Sequence, residues 1–464
     1  MTTSRLIDAS CLPMKTASNP LTEGPVLGHL IRLSIPASMG MIFNTAYNLS
    51  DFWFAGKLSD DALAGVSIAG SVFFLLLAIG IGIQTGASAV IAPEAGSGNN
   101  EKVATLVDQV FGLSLVLSVI VTVGGWLVAE PLVRFLGAES HIAPLSMEYV
   151  SITLLGTFTF VLSFAAAGAL MALGDTKSNR NALAFGFFAN LALNPLLTFT
   201  LGLGISGLAL ATVLIKAASA AYLHHVLAKA TGRWSKPGFD LEHWLTLLRQ
   251  VLPASFNMLT IILGGFITVS LVGRFGSEHV AGYAVGLRLE QVLLLPALGL
   301  NAAVMAIAGQ NLGAGKHQRV HETYTKALAI GLAMAAVSIP VMVFLSPAMM
   351  DFFTNDEAIR RTGAAYLKID AIAFYAYVVL FLSTATLQAL KQPLFPMVLG
   401  LARQLVIPVT INYWLIVYRG FPMMSIFYTI ISVVVIAALV AHWYTVAQLR
   451  NLVADPAVLH PSDA

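Results

Sequence analysis

Twelve apolar runs, each longer than about 18 residues, follow one another along this 464-residue chain. They fall at 29–55, 62–90, 104–129, 147–172, 180–201, 205–228, 246–273, 280–310, 323–346, 364–390, 394–418 and 422–448. A run of that length crosses a bilayer as a helix, because in lipid every backbone N–H and C=O must be satisfied within the segment. The expected fold is therefore an all-α polytopic membrane protein with twelve transmembrane helices. Only 10% of the residues are charged, against about 25% in soluble domains. The lipid bilayer is thus an expected partner. The net charge of +2 and the scattered basic residues leave no footprint for nucleic acid. A single cysteine, Cys11, excludes disulfides and cysteine metal centres within one chain.

Twelve spans put both termini on one side. That side receives sixteen Lys and Arg, the opposite side seven, and two, Lys216 and Arg288, fall inside spans. The positive-inside rule makes the termini cytoplasmic. The sequence "SRLIDAS" before Cys11 lacks the apolar core of a signal peptide, so residues 1–25 read as a cytoplasmic tail. The longest polar connection, 229–245, falls at the midpoint. The expected layout is an N-lobe at 26–228, a cytoplasmic linker at 229–245, a C-lobe at 246–450 and a cytoplasmic tail at 451–464.

The two lobes are copies. "IPAS" at 35–38 matches "LPAS" at 252–255, an offset of 217 residues from Pro36 to Pro253. Without a gap, the same offset places Gly56-Lys57 on Gly273-Arg274, Gly82 on Gly299, and "GSGNNEKV" on "GAGKHQRV". An even number of spans separates the copies, so the halves are parallel. Two pseudo-symmetric six-helix bundles related by an axis along the membrane normal suit a transporter that rocks around a central site.

The repeat also separates scaffold from chemistry. In the first span Asn44, Tyr47, Asn48 and Asp51 recur at i, i+3, i+4 and i+7, one helical stripe. Their counterparts are Ile261, Gly264, Gly265 and Thr268, so the fold itself does not require the stripe. In the fifth span Asn190 and Asn194 map to Ile407 and Ile411. A carboxylate such as Asp51 costs roughly 2.5–3.5 kcal/mol at mid-membrane on insertion scales. No Lys or Arg lies on its face within two turns of its own helix. A proton, a metal cation or a cationic ligand is therefore expected to neutralise it. Asn48, Asn190 and Asn194 could supply amides and Tyr47 a hydroxyl.

These features resemble the multidrug and toxic compound extrusion family, in its DinF-like prokaryotic branch. The resemblance runs from about residue 25 to 450. It rests on "IPAS…NLSDFWFAGKLSDDALAG", "NLALNPLLTFTLGLGISGLALAT" and "GQNLGAG" within two parallel six-helix halves. It implies a V-shaped, cofactor-free antiporter, expected to be a monomer, in the bacterial inner membrane. Such a protein exports small cationic or amphipathic drugs in exchange for H⁺ or Na⁺. By resemblance Asp51 is the coupling acid, Na⁺ being possible there, with Tyr47, Asn190 and the sixth-span Thr212 around it. Pro36 is where the first helix bends. One position departs from the pattern. The fifth-span acid of archetypal members, in an "LDP" context, is Asn194 in "LNP" here. The competing reading is a flippase for lipid-linked oligosaccharides, which would want a strongly basic cavity.

Arg288 and Glu290 lie well inside the eighth span and are specific to the second half, their counterparts being Ser71 and Phe73. They form a secondary candidate site. Residues i and i+2 do not share a helix face, so they need not pair. Asp370, two turns into the tenth span, is expected to be wetted near the outer surface. "GQNLGAGKH" fails as a phosphate loop, because no Ser or Thr follows Lys316. No nucleophile–base set for an enzyme is present, and the ten dispersed histidines suggest no metal centre.

Overall fold

The structure, a computed structural model, describes residues 21–136 and 139–454. The expected terminal tails, with Cys11, therefore lie outside the described residues except for 21–25 and 451–454. The described residues form helices and short connections, with no strand among them. Twelve spans are present: α1 Val26–Leu58, α2 Asp60–Gly96, α3 Asn100–Phe135, α4 Ala143–Leu155 with Thr157–Ala172, α5 Lys177–Thr200 and α6 Gly204–Thr231. The second half repeats them as α7 Leu241–Gly273, α8 Ser277–Gly313, α9 His317–Phe344, α10 Glu357–Ala389, α11 Leu394–Tyr418 and α12 Met424–Ala454. Most run several residues past the apolar segments that announce them, because polar end-turns continue the helix beyond the hydrocarbon.

The connections are short and chemically marked. Ser59 closes α1 and caps α2, its Oγ accepting from Ala62 N at 2.9 Å, with Asp60 and Asp61 in the first turn of α2. Gly98 and its repeat counterpart Gly315 carry φ of +77° and +68°, a left-handed turn that glycine enters at little cost. The repeat extends to irregularities. α4 bends by 52° at Gly156, and α10 tightens into a 3-10 turn at Ala371–Ala373, the equivalent position. Both α5 and α11 end in a π-helical turn, at Leu196–Thr200 and Trp414–Tyr418.

Large apolar side chains are exposed on outer faces, including Ile120, Val123 and Leu127 on α3, Phe185 and Phe188 on α5, and Leu439 and Trp443 on α12. In water such a belt would be an aggregation surface; in hydrocarbon it is the solvated face.

The lobes meet through pseudo-symmetric glycine contacts. A Cβ on Gly82 would fall 1.9 Å from Ser255 Oγ, and one on the equivalent Gly299 2.0 Å from Ser38 Oγ. Near the end that carries the termini, a Cβ on Gly96 would fall 1.8 Å from the Gln310 carbonyl oxygen. One on the equivalent Gly313 would fall 1.7 Å from the Pro93 carbonyl oxygen. Residues 93 and 310 are themselves repeat partners. Backbones this close exclude any side chain, so α2 and α8 lock together in this half of the membrane.

A strap reinforces the same end. Buried Leu21 and Thr22 offer their carbonyls to the C-lobe. Asn311 Nδ2 donates to Leu21 O at 3.2 Å, Lys316 Nζ to Thr22 O at 3.0 Å, and Arg319 Nη1 to Gly24 O at 2.9 Å. The mid-chain connection is tied to α3, with Arg233 paired to Asp108 at 2.6 Å and Asp240 N donating to Gln109 at 3.0 Å. Asp240 caps α7, and its bond to His243 holds its carboxyl below the usual range.

Pro36 lies buried within α1, which runs as one helix from Val26 to Leu58. The helix is not broken at Pro36. The proline ring removes one N–H but leaves φ helical, and packing of Ser34 and Ser38 against Gly299 holds the helix through it.

Candidate functional site

The site grows from two helices of the N-lobe that pack along their length, α1 and α5. Tyr47 and Asp51 lie one turn apart on α1, and Asn190 and Asn194 one turn apart on α5. Each pair thus points along a single line toward the other helix. Burial of all four is nearly complete: 6% and 7% of Tyr47 and Asp51 remain exposed, and none of either asparagine. Asn190 Nδ2 donates to Asp51 Oδ1 at 2.7 Å, and Asn194 Nδ2 donates to the same oxygen at 2.8 Å. Asn194 Nδ2 also reaches Asn190 Oδ1 at 3.1 Å.

The other carboxylate oxygen faces α6. Thr212 Oγ1 donates to Asp51 Oδ2 over 3.5 Å and accepts from the Tyr47 hydroxyl at 2.9 Å. Tyr149, on the first arm of α4, stands beside Thr212. One carboxylate thus takes three donors from two neighbouring helices, with a tyrosine behind the threonine. Asn194 Oδ1 is buried and, among the described residues, has no hydrogen-bond partner. The oxygens of Asp51, Asn190, Asn194 and Thr212 are the set that could take a small cation. Among the described residues no group of three or more His, Cys, Asp or Glu could hold a metal.

The polar stripe of α1 divides. Asn48 is exposed and lies outside the network, a correction to the expectation that it would supply an amide to Asp51. Successive helical residues turn by about 100°, so a stripe with Tyr47 at one edge carries Asn48 at the other. Asn44 is half-buried and lines a small pocket with Tyr47, Gly186, Lys216 and Ser219.

Lys216, a fixed cation that the reading of α1 alone leaves out, stands beside Tyr47. It comes from α6, four residues after Thr212 and on the same face. Its Nζ lies 5.8 Å from the centre of the Tyr47 ring and 6.0 Å from that of Phe160. The i, i+4 spacing of Thr212 and Lys216 is the sequence signal that points to it.

The secondary candidates in the C-lobe separate as well. Glu290 on α8 is buried, whereas Arg288 is exposed. The Tyr366 hydroxyl donates to Glu290 Oε2. Asp370, four residues after Tyr366 on α10, is 2% exposed, not wetted as expected. A 3-10 turn at Ala371–Ala373 follows it. Tyr377 donates to its Oδ1 at 3.2 Å, and its Oδ2 has no hydrogen-bond partner. Tyr283 packs edge-on against Tyr366 with centroids 5.0 Å apart. The C-lobe thus holds its own buried acidic cluster, built from tyrosines rather than amides.

The MatE family model matches two segments, residues 36–196 and 253–414. Their starts are the Pro36 and Pro253 of the internal repeat. The FAD transporter of Shewanella oneidensis is 26% identical over 398 residues, covering 82% of this chain and 86% of that protein. The probable multidrug resistance protein NorM of Thermotoga maritima is 25% identical over 359 residues, covering 75% of this chain and 77% of that protein. Among solved structures, a MOP superfamily transporter from Pyrococcus furiosus superposes with a TM-score of 0.88 at 24% identity. That match covers 94% of this chain and 99% of the other. An outward-facing multidrug resistance MATE family transporter of the same superfamily gives a TM-score of 0.87 at 24% identity, with the same coverage. These likenesses show the fold.

Proposed function

The chain belongs to the MatE family of membrane transporters, and from that premise we propose that it is a secondary antiporter exporting amphipathic organic compounds in exchange for protons. The carrying observation is the buried Asp51, gripped by Asn190, Asn194 and Thr212, where the repeat copy has no acid and carries isoleucines in place of the asparagines. A carboxylate in that setting has few ways to lose its charge, and taking a proton is the simplest. Substrate-bound and proton-bound forms then draw on one population of conformations, which is sufficient for exchange.

The two lobes supply the moving parts. They are locked by glycine contacts at the end that carries the termini, which the charge distribution assigns to the cytoplasm. Protonation of Asp51 would loosen its grip on α5 and α6 and so change how α1 packs within the N-lobe. We assign the protein to the inner membrane of a bacterial cell, acting as a monomer through its two lobes. A relative named for FAD transport and others named for multidrug resistance make flavins and organic cations the compounds to assay first.

The test is uphill efflux from proteoliposomes under an imposed pH gradient. Wild-type protein is expected to move substrate against its gradient, and Asp51→Asn to do so at background rate while reconstituting normally. Wild-type efflux by Asp51→Asn would remove Asp51 from the coupling step.

A further inference from the structure

Lys216 is a charge with no place in the antiport scheme above. It lies 12 residues after Gly204 on α6, roughly 18 Å from that end at 1.5 Å per residue. The other end, Thr231, is 15 residues away, roughly 22 Å. A lysine side chain cannot snorkel over either distance. Its ammonium therefore stays at mid-membrane depth, half-buried inside the N-lobe. Among the described residues it forms no ion pair within 4.0 Å; its Nζ rests against the faces of Tyr47 and Phe160. Tyr47 is the residue whose hydroxyl bonds Thr212, the donor to Asp51. Asp51 on α1 is the acidic group whose charge Lys216 feels. Asp51 in turn has the ionisable Tyr47 of α1 and Tyr149 of α4 beside it.

We propose that Lys216 is a specificity-determining residue of the Asp51 site: a tethered ammonium that serves as resident counter-cation and excludes sodium. The inference rests on Asp51 being the coupling acid. With the carboxylate ionised, Asp51 and Lys216 together are neutral, so the empty site needs no metal ion. A sodium ion entering among Asp51, Asn190, Asn194 and Thr212 would bring a second positive charge beside the first. At an effective dielectric near 20, a unit charge held within about 6–12 Å of another weakens binding of the second by roughly 10- to 100-fold. The penalty falls on any added cation. A proton can bear it because it forms an O–H bond with the carboxylate, whereas sodium is offered one carboxylate and only neutral oxygens otherwise. The amide at Asn194 acts in the same direction, since an aspartate there would have offset the ammonium.

The experiment measures sodium-specific thermal stabilisation of the purified full-length protein in detergent, with choline chloride as the ionic-strength control, at mildly alkaline pH. Wild type is expected to show no sodium-specific stabilisation at physiological salt. Lys216→Met should acquire one, with a midpoint at least tenfold lower than any residual wild-type response. The gain should vanish in Lys216→Met combined with Asp51→Asn. Lys216→Arg keeps the charge and should behave as wild type. Lys216→Gln replaces the Met variant if that one fails to fold. Two results overturn the proposal: a wild-type sodium response that Asp51→Asn removes, or Met and Gln variants as blind to sodium as wild type. Failure of the antiport reading looks different, because it appears as retained efflux in Asp51→Asn, whatever sodium does.

Discussion

Asn190 on α5 donates its side-chain amide to Asp51 on α1 at 2.7 Å, joining two helices through a carboxylate whose repeat counterpart, Thr268, carries no charge. The bond belongs to one lobe only. A fold built from duplicated halves has thus gathered two amide donors around an acid in the N-lobe.

The two asparagines act as a unit. Both donate to the same oxygen of Asp51, and they bond each other at 3.1 Å. A hydrogen bond to a charged group contributes about 1.5–3 kcal/mol. Asn190→Ala is expected to cost that much in transport, about tenfold or more. Asn194→Ala should behave similarly. The double variant should lose less than the two added together, with an interaction energy of about 0.5–3 kcal/mol. Efflux rates in a double-mutant cycle measure this; simple additivity would show that the two amides act independently.

The C-lobe cluster predicts a different phenotype. Among the described residues Tyr366 supplies the side-chain hydrogen bond to buried Glu290. Tyr366→Phe leaves that carboxyl unsatisfied at a cost of about 1–3 kcal/mol. The apparent Tm in detergent should fall, while Asp51-dependent exchange continues. An unchanged Tm would mean that water reaches Glu290.

The glycine lock predicts symmetric effects. Ala at Gly96 or at Gly313 places a Cβ within 1.8 Å of a carbonyl oxygen of the opposite lobe, so backbone must move. Overpacking of this kind costs about 1–3 kcal/mol. Both variants should lower the apparent Tm by similar amounts, because each is the repeat image of the other. A silent substitution at either position would show that the lobes do not hold this contact.

The spans, their number and the parallel repeat were legible because lipid forces long apolar helices and because duplication leaves its offset in the chain. Asp51, Asn190 and Asn194 were legible for a related reason: Asp51 is charged where its copy is a threonine, and the asparagines are polar where theirs are isoleucines. What was not legible depends on rotation about helix axes. Asn48 sits at the edge of its stripe and turns outward, although spacing alone groups it with Asp51. Asp370 lies two turns into its span, close enough to its end to be wetted, yet it is buried and accepts a hydrogen bond from Tyr377. The approach of Lys216 to Tyr47 needs the packing of α6 against α1, which no property of either helix alone supplies. Pro36, where a bend is expected, lies inside an α1 that stays one helix from Val26 to Leu58.

The most direct test of the central claim is proton release on substrate binding. A transported compound is added to purified protein in lightly buffered detergent, and the pH change is followed. Wild type is predicted to release protons in proportion to the compound bound, and Asp51→Asn to release none. Equal release from both proteins would contradict the claim that Asp51 exchanges a proton for substrate.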